Sequence, residues 1–289
     1  MSERRNNADR VGAPHPDAEA PPIATTPTKQ TNNEFLSFVA PTEFIDLPSA
    51  GTLYPEGHTL AGVAQIEIRH MTAKEEDILT SESLIRKGVA IDRLLSSLLV
   101  DKTVKLDQML VGDKNALLVG ARVTGFGSEY KTNVTCPLCD TTEENTFDLD
   151  LIENTTASEI PEGVTATGHH TYCLTLPLTN VEVELKMMTS GDERKFLETT
   201  QRKKRSKQPA SMSTDMLKTI VVAVGGRREK PVIAQFINQM PVKDSRHLRT
   251  VYEQIVPNID LTQDYFCDAC GYEGRIDVPL TAEFFWPKS

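Results

Sequence analysis

The sequence predicts an α+β chain with an N-terminal helical part, two cysteine-bearing hairpins far apart in the chain, and an α+β subdomain inserted between them. Three observations carry this expectation. Apolar residues recur at helical spacing before residue 130, short β-branched alternations flank two CxxC pairs, and both patterns recur between the pairs. At 289 residues and 32.0 kDa the chain is long enough to bury a sizeable core. No run approaches the roughly 18 apolar residues of a membrane span, so membrane insertion is not expected. Residues 1–33 lack the apolar segment of a signal peptide and are rich in Pro, Ala, Asn and charge. They read as a flexible tail that cannot bury enough surface to offset its ordering entropy.

Residues 34–130 form the loop, strand and helical part. In "EFIDLPSAGTLYPEGHTL", Pro48, Gly51, Pro55 and Gly57 punctuate an irregular segment, read as a packing or contact surface; "GVAQIEIRH" then alternates as a strand. Thr72 and Glu75 form a capping box for "TAKEEDILT", and "SESLIRKG" continues to Gly88 as C-cap. Ile91, Leu94, Leu95 and Leu98 fall at i, i+3, i+4 and i+7, one apolar stripe of a helix. In "GDKNALLVGARVTGFG", Asp113 is expected as N-cap, with Gly125 and Gly127 ending the helix. The segment 153–257 is the predicted inserted subdomain. A loop over 153–168 leads to a hairpin around "PLTN" in "HHTYCLTLPLTNVEVELKMMT". Ser190 and Glu193 then suggest a capping box for a helix through about Arg205, and "STDMLKTIVVAVGGR" is ambiguous between helix and strand. Asp244 is expected to cap a helix buried through Leu248, Val251, Tyr252 and Ile255 and stopped by Pro257.

Four of the five cysteines form the pairs "CPLC" (Cys136, Cys139) and "CDACGYEG" (Cys267, Cys270), separated by 127 residues. An odd cysteine count without an export signal argues against a disulfide framework. One CxxC turn offers two thiolates to a tetrahedral zinc and can never close the site, so the second pair must complete it. Strand-like "EYKTNVT" before the first pair and "YEGRIDVPL" after the second place each in a hairpin. The result is a zinc ribbon split over 131–152 and 258–289, although the gap is far longer than the usual spacing of about 15–20 residues. Two other readings stand beside it. A redox CxxC needs a helix after the first thiol, which Pro137 and "DTTEENTFDLDL" oppose; the thiols could also be reduced and unliganded. Four sulfurs leave no position for water, so the expected metal is structural, with zinc favoured over iron on availability. Cys173, on a strand, reads as a small buried hydrophobe.

No catalytic grouping stands out. His169 and His170 are consecutive and point to opposite faces of a strand, while His58, His70 and His247 fall in no metal or catalytic motif. Glu75, Glu76 and Asp77 read as a first helical turn favoured by the dipole, and the "GFG" and "VGG" glycines lack the framing of a phosphate cradle. A net charge of -10 and a pI near 5.2 disfavour nucleic acid. "RKKRSK" at 202–207 is the basic exception. It reads as a solvated helix end complementing the macrodipole, with an acidic protein partner as the other reading.

The stretch "LPSAGTLYPEG", followed by a strand, "MTAKEEDILTSESLIRKG" and "GDKNALLVGARVTGFGSEYKTNVTCPLC", resembles the baseplate hub protein family of T-even-like contractile-tailed bacteriophages. The likeness runs from about Glu43 through Cys139, thins across the insertion, and returns at "MPVKDSRHLRTVYEQIVPNIDL" and the second cysteine pair. Family members often carry Lys after "LPS" where this chain has Ala50, so a contact through that side chain is not implied. The resemblance implies a structural or assembly protein of the viral tail baseplate hub, made in the host cytoplasm and found in the virion. It implies other baseplate and hub proteins as partners, with no small-molecule substrate and no enzymatic activity. A zinc-ribbon regulator that binds nucleic acid is the alternative from another class.

Overall fold

Alternating and helical patterns resolve into twelve strands and eight α-helices in the computed structural model, which describes residues 40–155, 160–168, 170–206, 211–280 and 284–285. The expected tail, 1–33, lies outside the described residues. The α+β class is as the sequence predicts. β1 (Thr42–Asp46) pairs antiparallel with β2 (Gln65–Arg69), with Ile45 opposite Ile66. The expected irregular segment therefore begins with a strand. Then follow α1 (Ala73–Thr80), α2 (Glu82–Lys87), closed by left-handed Gly88, and α3 (Ala90–Leu98), which buries Leu94, Leu95 and Leu98. α4 (Val111–Phe126) runs past Gly125 and is capped at Gly127.

Asp113 is not an N-cap. Leu110 holds that position, and Asp113, fully buried in the first turn of α4, turns away to hold the Pro/Gly loop. Its carboxylate accepts from the Ser49 backbone N–H at 2.9 Å, the Ser49 hydroxyl at 2.6 Å and the Tyr54 hydroxyl at 2.7 Å. Tyr54 accepts in turn from the Leu110 N–H at 2.9 Å and stacks on His58, with ring centroids 4.5 Å apart. Burial, then the Asp113 charge, raise the Tyr54 phenol well above its ordinary pKa, so it stays a donor. The loop also requires glycine at 51: φ is 71°, and a Cβ there would lie 2.3 Å from the Val63 nitrogen. The core of "LPSAGTLYPEG" is thus inside the protein, whereas Ala50, Thr52, Pro55 and Glu56 form its exposed rim.

Two hairpins follow the pattern read around the cysteines: β3 (Glu129–Thr135) with β4 (Thr142–Asp148), and, near the C-terminus, β11 (Thr262–Phe266) with β12 (Glu273–Asp277). Between them the expected loop at 153–168 contains β5 (Glu153–Thr155) and β6 (Val164–Ala166). β7 (Thr171–Thr175) and β8 (Glu182–Lys186) form the hairpin around "PLTN", and with β9 (Val221–Val224) they complete a sheet of order β6-β7-β8-β9. α5 (Ser190–Arg205) is capped one residue earlier than its sequence suggests, by a Thr189 and Asp192 box. The ambiguous stretch divides: α6 (Met212–Ile220) takes its polar half and β9 its β-branched half. α7 (Lys230–Gln239), with Pro in its first turn, is a further helix between β9 and the helix expected from Asp244. α8 (Val242–Ile255) buries the four apolar residues expected of it. Asp244 repeats the Asp113 solution: it lies inside the first turn and accepts from the N–H groups of Leu178 and Thr179, at 2.8 and 3.1 Å, and from the Thr179 hydroxyl at 2.8 Å.

After α8, β10 (Asn258–Asp260) pairs antiparallel with β5, Asn258 opposite Thr155, so the chain leaving the first hairpin is zipped to the chain approaching the second. α4 comes close to this seam because residue 112 is glycine; a Cβ there would lie 2.0 Å from the Pro257 carbonyl oxygen.

Asp113→Ala leaves the Ser49 N–H and hydroxyl and the Tyr54 hydroxyl without their buried acceptor, and is expected to cost about 3 kcal/mol by urea unfolding. Glu75 supplies a pH test. Burial opposes its ionisation, but the Arg69 guanidinium, at 2.5 and 3.0 Å, and the Thr72 hydroxyl and N–H outweigh that and hold it at about 2. An unfolded Glu titrates near 4.5. This contribution is therefore whole above that pH and lost as pH falls towards 2. Glu75→Gln is expected to remove about 2 kcal/mol at neutral pH and flatten the acid limb of the stability profile.

Candidate metal centre

Each cysteine pair lies on the turn of its hairpin, and the two turns repeat the same backbone bonds. Cys136 N–H donates to the Thr141 carbonyl at 2.9 Å and Asp140 N–H to the Cys136 carbonyl at 3.0 Å; Cys267 to Tyr272 and Gly271 to Cys267 do the same, each at 2.9 Å. The residue after each second cysteine is left-handed, Asp140 at φ 56° and Gly271 at 71°, which turns the chain back into its second strand. The first cysteine of each pair is buried and the second exposed. Within the first turn the Leu138 N–H points at Cys136 Sγ at 3.4 Å.

The hairpins are held face to face along their length. At the base, Gln263 and Asp148 exchange hydrogen bonds of 2.6 and 3.2 Å; further along, the Tyr265 hydroxyl donates to Glu143 at 2.7 Å. Tyr130 donates to the Pro279 carbonyl at 2.9 Å, across 149 residues of chain. Arg122, buried at the end of α4, donates to the carbonyls of Gly127 and Glu129, at 2.7 and 3.1 Å, and so aims the first hairpin.

This frame brings all four predicted residues, Cys136, Cys139, Cys267 and Cys270, together, their sulfurs within 4.8 Å of one another. Two distances between the hairpins, Cys136 to Cys270 and Cys139 to Cys267, are both 3.7 Å. A disulfide needs about 2.05 Å. A tetrahedron with sulfur about 2.3 Å from its centre has edges of about 3.8 Å, so the donor set matches zinc in both chemistry and spacing. No helix follows either first cysteine to activate it as a redox thiol. The Thr141 hydroxyl and N–H lower the Cys139 thiol to about 6, while desolvation of the sulfur, followed by its contacts with the other three thiols, pushes Cys270 up to about 12 although the residue as a whole is exposed.

The other residues singled out in the sequence are not drawn into this site. His58 stacks on Tyr54 and accepts from the Leu60 N–H at 3.1 Å; His70 faces Glu43 at 3.6 Å; His247 is exposed on α8. His170 is in a left-handed turn, and His169 lies outside the described residues. Glu75 belongs to the Arg69 pair and not to a cation site. Cys173 on β7 is only half-buried, its position alternating with those of buried Tyr172 and Leu174 along the strand. The residues that align the hairpins, Arg122, Tyr130, Glu143, Gln263 and Tyr265, carry no motif; only the alternation of buried positions along β3 and β11 marks the tyrosines as inward-facing.

An α+β chain whose remote hairpins converge on four thiols is a protein with a site suited to a structural metal, not one built around an open catalytic ion. The family model described as T4 bacteriophage base plate protein matches residues 41–286, and the chain belongs to that family. No curated protein and no solved structure matches the chain. Among the described residues, no helix is long and apolar enough to cross a membrane.

Metal binding requires each thiol to shed its proton. Acidification of the metal-loaded protein is therefore expected to release the ion and lower the unfolding midpoint, with recovery on returning to neutral pH. Zinc release followed with a colorimetric chelator, alongside circular dichroism, reads both.

Proposed function

We propose that this baseplate protein is a non-catalytic structural or assembly component of the tail baseplate hub, with zinc held by Cys136, Cys139, Cys267 and Cys270. It acts by binding other baseplate and hub proteins, is assembled in the host cytoplasm and resides in the virion tail. One observation carries the reading: in a chain of the base plate family, four sulfurs from turns 127 residues apart meet within 4.8 Å, two of their distances at 3.7 Å, close to the edge of a zinc tetrahedron. A four-sulfur set offers no place for a reacting water, so the ion contributes rigidity and not chemistry.

In this reading the ribbon consists of 131–152 and 258–289, and 153–257 is an insertion that the β5–β10 pair closes at its neck. Residues 34–130 carry one contact surface, the exposed rim of the loop that Asp113 anchors. The nucleic-acid reading is disfavoured by the ribbon itself, where Glu143, Glu144, Asp264, Asp268 and Glu273 would repel phosphate.

Cys267→Ser is expected to lose bound zinc, since structural zinc is worth roughly 10–16 kcal/mol in apparent terms, and to leave infected cells with few complete tails. Electron microscopy of lysates and metal content of the purified variant check the two halves. Normal tails from a zinc-free variant would sink the proposal, and salt-sensitive retention on DNA would favour the regulator.

A further inference from the structure

A cleft of 590 Å³ opens between β8, β9, α5, α6 and α7 and shares no residue with the cysteine cluster. Its floor is apolar, with buried Val221 and Ile233 and half-buried Phe196; its rim carries Lys195, Lys218, Arg228 and Lys230. The two carboxylates in its wall are already engaged. Asp192 accepts from Lys186 at 2.6 Å and closes the α5 capping box, and Asp215 accepts from Lys203 at 2.5 Å and from Ser211 at 2.7 Å. Arg228 is bonded to Glu184 at 2.5 Å. Among the described residues Lys195, Lys218 and Lys230 take part in no ion pair, so the rim is left cationic. On α5 the exposed Arg202 falls seven residues after Lys195, on the same face of the helix. This concentration runs against the net charge of -10 and against the acidic hairpins.

We infer that this cleft docks an acidic segment of a neighbouring baseplate protein, an apolar side chain of that segment entering the Phe196 floor while its carboxylates meet Lys195, Lys218 and Lys230. The apolar floor decides the class. Inorganic phosphate would gain nothing from Val221 and Ile233, and a nucleic-acid strand would want several aromatic platforms where the floor has Phe196 alone. A long polyanion would also meet the field of an acidic protein beyond the cleft. A short peptide with carboxylates flanking Leu, Ile or Phe uses both features, the buried anchor for affinity and the charges for encounter and register. The inference rests on the baseplate reading only for the source of the segment.

The test is an array of overlapping peptides spanning the tail proteins of the phage, probed with the full zinc-loaded chain and with K195E/K218E/K230E. The bound peptides are expected to combine Asp or Glu with a large apolar residue. Their affinity should fall about tenfold or more in the charge-reversed variant and weaken with salt in the wild type. K195Q/K230Q, changed only at exposed positions, should show a smaller loss in the same direction. Bound peptides without acidic bias, no bound peptide, unchanged affinity in the variants, or tighter binding of single-stranded DNA would each overturn the inference. Zinc content and tail assembly are read separately, so a failed array with normal zinc and a Cys267→Ser tail defect removes this cleft and leaves the baseplate reading standing.

Discussion

Four thiols that start 127 residues apart must reach one point, and much of the surrounding structure is arranged around that demand. Each ribbon hairpin is a two-stranded sheet of five to seven residues a strand, a size with little independent stability. Neither hairpin can hold its cysteines in place alone. The hydrogen bonds of Gln263, Tyr265 and Tyr130 align the two, Arg122 fixes the first against α4, and an ion shared by the sulfurs would lock the tips. The cross-hairpin spacing of 3.7 Å is the geometric signature of that arrangement. Without a cation, four thiolates so close would repel one another.

A second device recurs in the rest of the molecule. Asp113 and Asp244 are each buried within the first turn of a helix, and each uses its carboxylate to bind backbone N–H and a hydroxyl from a segment more than 60 residues away in sequence. A buried carboxylate is costly unless every lone pair finds a donor. The proline-rich loop and the "PLTN" turn supply those donors, so charge and loop conformation specify one another. Such anchors let irregular chain be rigid.

The sequence disclosed what depends on local pattern and left hidden what depends on distant partners. Cys136, Cys139, Cys267 and Cys270 were legible because tetrahedral coordination demands a second pair once the first is seen, and the stripe of Leu94, Leu95 and Leu98 because helical burial is periodic. Asp113 and Asp244 resembled N-caps because a lone Asp before an apolar run has that local signature; their true partners, Ser49 and Thr179, lie where no short-range rule looks. β5 escaped notice because its three exposed residues gain their strand character only from β10. α7 has Glu229 at its N-cap with no side-chain cap bond, and Pro231 in its first turn, so no Ser, Thr, Asp or Asn announces it. Arg122, Tyr130 and Tyr265 were out of reach for the same reason, their roles being set by carbonyls and carboxylates elsewhere in the fold.

The central claim, that both cysteine pairs ligate one ion, is tested most directly by X-ray absorption at the zinc edge on the purified full-length chain. Two cysteine pairs on one ion give a single shell of four sulfurs at about 2.3 Å, with one zinc per chain. A shell containing nitrogen or oxygen, a two-sulfur site, or a folded protein that carries no metal would contradict it.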